Sequence, residues 1–164
     1  MVELNEVTPN YHRAQTRWPD APSLDRHYEA LKSCYTGGGF GLIEHVKSFI
    51  ESVCITIMEE LREPMASPNP SLTELLISAL NPLGLKQARG PSKLGKVLSC
   101  FNRLSDTLSE MRNEEGPVAH GKDGFIDPIA EDHARAFLVV GDSILGVLLN
   151  AFEGLEPDLV MTRE

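Results

Sequence analysis

Leu42-Ile43-Glu44-His45-Val46-Lys47-Ser48-Phe49-Ile50-Glu51-Ser52-Val53-Cys54-Ile55-Thr56-Ile57-Met58-Glu59-Glu60-Leu61-Arg62 decides the fold. Ile43, Val46, Phe49, Ile50, Val53, Cys54, Ile57, Met58 and Leu61 recur at three- and four-residue spacing and draw one broad apolar stripe along an α-helix. The stretch predicts the core helix of the domain, with His45 on its exposed side. Downstream, Pro64 to Pro70 is a loop by its three prolines, and Ser71-Leu72-Thr73-Glu74 is a capping box that opens a helix through about Leu80. Asn81-Pro82-Leu83-Gly84 ends that helix. A basic loop, Leu85 to Pro91, then leads into a helix from Ser92 to Met111 with its stripe at Leu94, Val97, Leu98, Phe101, Leu104, Leu108 and Met111.

Asp127-Pro128 caps a last long helix to about Phe152, whose buried stripe is expected at Ile129, His133, Ala136, Phe137, Val140, Ile144, Leu145, Leu148 and Leu149. Glu153 to Glu164 reads as a frayed tail. Upstream of the core helix, Ser23 caps a short helix through about Cys34 with Leu24, Tyr28 and Leu31 inward. Residues 1–22 show no sustained periodicity and contain Pro9, Pro19 and Pro22, so they read as an irregular arm anchored by Trp18. No strand pattern appears anywhere. The expected fold is all-α: a bundle of four to five helices over residues 23–155, with an arm at 1–22 and a tail at 156–164.

The chain's 164 residues suffice for one buried core, and 41% hydrophobic with 24% charged residues is the composition of a soluble globular protein. The first six residues lack a secretory pattern and no apolar run approaches a bilayer span, so a cytoplasmic address without membrane association is expected. Cys34, Cys54 and Cys100 are an odd set. Cys54 and Cys100 fall in helix patterns as core filling, with no disulfide framework and no zinc site expected. Thr36-Gly37-Gly38-Gly39-Phe40-Gly41 follows no strand and carries no Lys-Ser or Lys-Thr, which argues against a phosphate loop and for a connector.

A net charge of −9 argues against indiscriminate nucleic-acid binding. The charge is uneven, however. From Asn81 to Lys122 seven basic residues (Lys86, Arg89, Lys93, Lys96, Arg103, Arg112, Lys122) meet four acids, a balance of +3 that leaves −12 on the rest. This segment ends in Arg112-Asn113-Glu114-Glu115-Gly116-Pro117-Val118-Ala119-His120-Gly121, where polar chemistry gathers without a packing reason. Gly116-Pro117 stops the preceding helix, so Arg112 sits at a helix end and His120 in the adjoining turn. A guanidinium and an imidazole so placed can face one phosphate from two sides. Helix capping explains the same residues, and spacing alone leaves both readings open. His120, Asp123, Asp127, Asp132 and His133 are metal-ligand types without the helical spacing a metal site uses, so neither metal nor cofactor is expected.

With these elements laid out, the chain resembles the abortive-infection protein C-terminal domain, itself similar to the HEPN group of helical domains of prokaryotic defence and toxin systems. The resemblance covers roughly residues 42–152 and is carried by Phe49-Ile50-Glu51-Ser52-Val53-Cys54, Leu80-Asn81-Pro82, Arg112-Asn113 with His120-Gly121, and His133-Ala134-Arg135. It implies a homodimer and a metal-independent ribonuclease in an abortive-infection or toxin–antitoxin setting. Arg112 would bind phosphate, Asn113 would orient it, and His120 would act as general acid or base. Lys96, Arg103, Gly121 and Lys122 would contact the RNA. Seven residues separate Arg112 from His120, more than is usual in such nucleases. A non-catalytic dimeric module that binds a protein partner in a defence system is the competing expectation.

Overall fold

The computed structural model describes residues 3–37, 41–65, 67–80, 82, 99–100, 103, 106 and 128–161. They form α1 (Leu4–Val7), α2 (Pro9–Arg17), α3 (Pro22–Thr36), α4 (Leu42–Glu60), α5 (Leu72–Leu80) and α6 (Pro128–Met161), with no strand among the described residues. Ser99, Cys100, Arg103 and Asp106 are also helical. The all-α expectation holds.

α4 is the core helix, packed against α3, α5 and α6. Of its stripe, Ile43, Val46, Phe49, Ile50, Val53, Cys54, Ile57 and Met58 are buried, and Leu61 packs from the edge. Gly41, in the left-handed region at φ 78°, starts the helix. It ends in a Schellman motif: Glu63 N–H donates to Met58 O at 2.9 Å and Arg62 N–H to Glu59 O at 3.1 Å. Arg62 takes the left-handed position, φ 56°, where glycine is usual. At α5, Ser71 Oγ accepts the Glu74 N–H at 3.2 Å, the expected cap. Glu74 itself accepts from Ser67 Oγ at 3.2 Å.

Residues 1–22 are not an irregular arm. α1 and α2 occupy most of the described part, and Tyr11 and Ala14 are fully buried, with Leu4 and Trp18 nearly so. Pro9 and Pro22 stand at the first positions of α2 and α3, where a missing N–H costs nothing; they begin helices. Ser23 is therefore inside α3, whose N-cap is Ala21. Trp18 does anchor the segment, its ring 5.7 Å from that of Phe152 and its Nε1–H donating to Glu60 at 2.6 Å.

α6 packs against α4 and α2. Two glycines let α2 and α4 approach it: a Cβ at Gly141 would come within 2.8 Å of both Tyr11 Oη and Val46 Cγ1, and one at Gly146 within 2.8 Å of Asn10 Nδ2. Phe137, Ile144, Leu145, Leu148 and Leu149 are buried as expected, whereas Ala136 is exposed, because Leu138 rather than Ala136 turns into the core. The tail expected from Glu153 is helical through Met161. By length and composition Arg135–Gly154 would cross a bilayer, mean hydropathy 1.6, contrary to the sequence reading; half of it is buried in the core. Cys100 is exposed rather than core filling.

Candidate functional site

Of the expected site, Lys96, Arg112, Asn113, His120, Gly121 and Lys122 lie outside the described residues, as do Asp123 and Asp127. Arg103 is helical and exposed, open to solvent as a phosphate contact requires. Asp132 and His133 belong to the first turns of α6. Among the described residues no group of three or more His, Cys, Asp or Glu side chains is placed to hold a metal. Two thiols are held protonated: burial pushes Cys54 far above the ordinary thiol range, and burial with Glu44 raises Cys34.

Two polar assemblies that sequence reasoning missed sit where α2 meets α6 and α3. In the first, Asp142 is buried on the core face of α6. Its carboxylate accepts Asn10 N–H at 2.8 Å, Asn10 Nδ2–H at 3.0 Å and Tyr11 N–H at 3.4 Å. Asn10 Nδ2 also donates to Asp142 O at 3.1 Å. The carboxylate thus satisfies backbone donors that the start of α2 leaves orphaned. Burial raises its pKa above the usual carboxylate range, against the lowering by these hydrogen bonds and by His12. Beside it Thr8 Oγ1 donates to Leu4 O at 2.7 Å and lies 3.0 Å from Tyr28 Oη, which meets His12 Nε2 at 2.8 Å. The signal in the sequence was Asp142 itself, a carboxylate four residues from Leu138 and three from Leu145 on an apolar stripe.

The second assembly is an open cleft of about 500 Å³ lined by Arg13, Thr16, Arg17 and Glu153. Glu153 accepts a short charged hydrogen bond from Arg13. The Arg17 guanidinium lies 5.3 Å from the ring centre of Phe152 and 6.0 Å from that of Trp18, with Glu60 at 3.9 Å.

On the α3–α4 seam, the His27 and His45 rings lie 6.4 Å apart, and burial, then Arg26 and His45, lower the His27 pKa. His45 is half-buried rather than fully exposed.

These elements define a helical-bundle domain built around one apolar helix, with an N-terminal helix docked on its last. The chain belongs to the HEPN-like domain family Abi_C, whose family model matches residues 23–152. That membership supports a protein of the abortive-infection, defence type. No curated protein and no solved structure matches it.

Proposed function

We propose that this protein is a metal-independent endoribonuclease of an abortive-infection system, working as a cytoplasmic homodimer with Arg112, Asn113 and His120 at its cleft. The observation that carries the reading is the family match, whose residues 23–152 contain the Arg112-Asn113 and His120-Gly121 pair. The local charge of +3 from Asn81 to Lys122 on a chain of −9 supports it, since RNA needs a confined cationic patch. His120 takes the proton of a 2′-hydroxyl; the oxygen attacks the adjacent phosphorus, the P–O5′ bond breaks as the 5′-oxygen takes a proton from water to leave as a hydroxyl, and a 2′,3′-cyclic phosphate remains. Arg112 offsets the charge growing on the phosphate oxygens, and Asn113 orients it. Lys96, Arg103 and Lys122 hold neighbouring phosphates, and Gly121 leaves the backbone room to approach. Val139 and Val147, 42% and 37% exposed on α6, suit a second copy.

The test is cleavage of total RNA in EDTA by wild type, His120→Ala and Arg112→Ala. Cutting with cyclic-phosphate ends that both substitutions reduce by roughly a hundredfold or more is expected. Cutting that survives both, or none by wild type, refutes the nuclease.

A further inference from the structure

The cleft between α2 and α6, about 500 Å³, falls in the size range of small-molecule sites, roughly 300–1,000 Å³. Its residues combine three chemistries. Arg13 supplies a cation, and Thr16 lines the same cleft. Arg17 lies over buried Phe152 and near buried Trp18, which support its guanidinium from beneath as a flat cationic face on which a ring can stack. Glu153 supplies a carboxylate. The Arg13–Glu153 pair is 32% and 42% exposed at its side chains, so water already competes for it and a ligand can exchange with it.

A simple anion replaces only Glu153 and then faces that carboxylate across the cleft. A ligand with an anion at one end and N–H donors at the other replaces both halves of the pair together. A purine nucleotide has this form, with a flat ring between. Guanine presents two adjacent donors, N1–H and N2–H, which match the two oxygens of a carboxylate; adenine presents a donor beside an acceptor.

We propose that this cleft binds a guanosine monophosphate unit, with phosphate on Arg13 and Thr16, the ring over Arg17, and the base edge on Glu153. All four lining residues fall outside the family-matched residues 23–152. The site uses none of the nuclease residues and stands whether or not the chain cuts RNA. The unit can come as free nucleotide or within an RNA strand.

Trp18 is the chain's only tryptophan and reports on the site through its emission. GMP titrated into the full chain should change that emission saturably, with AMP bound roughly tenfold more weakly for the mismatched edge. Arg13→Gln and Arg17→Gln should each weaken GMP by roughly tenfold or more. Glu153→Gln, whose amide pairs a donor with an acceptor, should shift the preference from GMP to AMP. A guanosine-containing tri-ribonucleotide that binds tighter than GMP assigns the site to a strand, and the reverse order assigns it to the free nucleotide. Each variant is first matched to wild type by circular dichroism melting. For any that fails to fold, competition on wild type replaces it: guanosine and inorganic phosphate must each displace GMP. No saturable change with GMP or the oligonucleotide, equal binding of GMP and AMP, or affinity indifferent to both arginines overturns the proposal.

Discussion

Replacing Gly141 by alanine adds one methyl group where three helices meet, and the structure fixes the sign of the result. A Cβ there would sit 2.8 Å from Tyr11 Oη and 2.8 Å from Val46 Cγ1. Neither atom can step aside easily, because Tyr11 and Val46 are fully buried and Val46 is β-branched on the core helix. Overpacking of this kind costs roughly 1–3 kcal/mol, and two simultaneous clashes put it at about 3. Alanine's helix propensity returns about 1 kcal/mol over glycine. The net expectation is a loss of about 2 kcal/mol. Gly154 is the control in the same helix: nothing lies within 4 Å of its added Cβ, so Gly154→Ala should gain about 1 kcal/mol. The two variants should therefore differ by about 3 kcal/mol in urea unfolding followed through Trp18. Tyr11→Phe, which removes one of the clashing atoms, should recover part of the Gly141→Ala loss. Equal stability of the two alanine variants would refute the close approach of α2 and α4 to α6.

Removing residues 1–18 strips Leu4, Tyr11 and Trp18 from the core, each worth about 1.5–3 kcal/mol of burial; the cooperative thermal melt should weaken sharply or vanish, and an unchanged melt would count against an integral α2. Arg62→Gly places the residue suited to φ 56° at the end of α4 and should raise stability by roughly 0.5–1 kcal/mol in the same urea assay. Ser71→Ala removes the cap on α5 and should cost about 1 kcal/mol. Burial raises the Asp142 pKa, so its proton is held more tightly folded than unfolded: its contribution is most favourable below the unfolded carboxylate pKa and is lost as pH rises through the higher folded value. Wild type should accordingly gain stability relative to Asp142→Asn as pH falls from neutral towards 4, and a flat difference would contradict the burial of this carboxylate.

α4 was legible from its wide stripe and α5 from its serine cap, and local pattern there agrees with tertiary use. The N-terminal helices were not. α2 has only Tyr11 and Ala14 buried within nine residues, too few to establish a period, and prolines read as breakers serve as helix starts. Along α6 the stripe held at Phe137, Ile144, Leu145, Leu148 and Leu149, Val140 is half-buried, Ala136 is exposed, and the extension past Phe152 was missed. The proposed nuclease site rests on the residue types of Arg112-Asn113 and His120-Gly121, which lie outside the described residues. The α2–α6 cleft escaped notice because Arg13, Arg17 and Glu153 are ordinary surface residues until the fold joins positions 140 apart.

That joining has a cost in time. Asn10 and Tyr11 hydrogen-bond to Asp142, 132 and 131 residues further on. As the chain leaves the ribosome, Tyr11 and Trp18 emerge well ahead of α6, the helix that shelters them. Contacts so distant in sequence slow folding, since a long loop must close before they form. Until α6 follows, the nascent chain carries an uncovered aromatic segment, which exposes it to aggregation more than the finished fold.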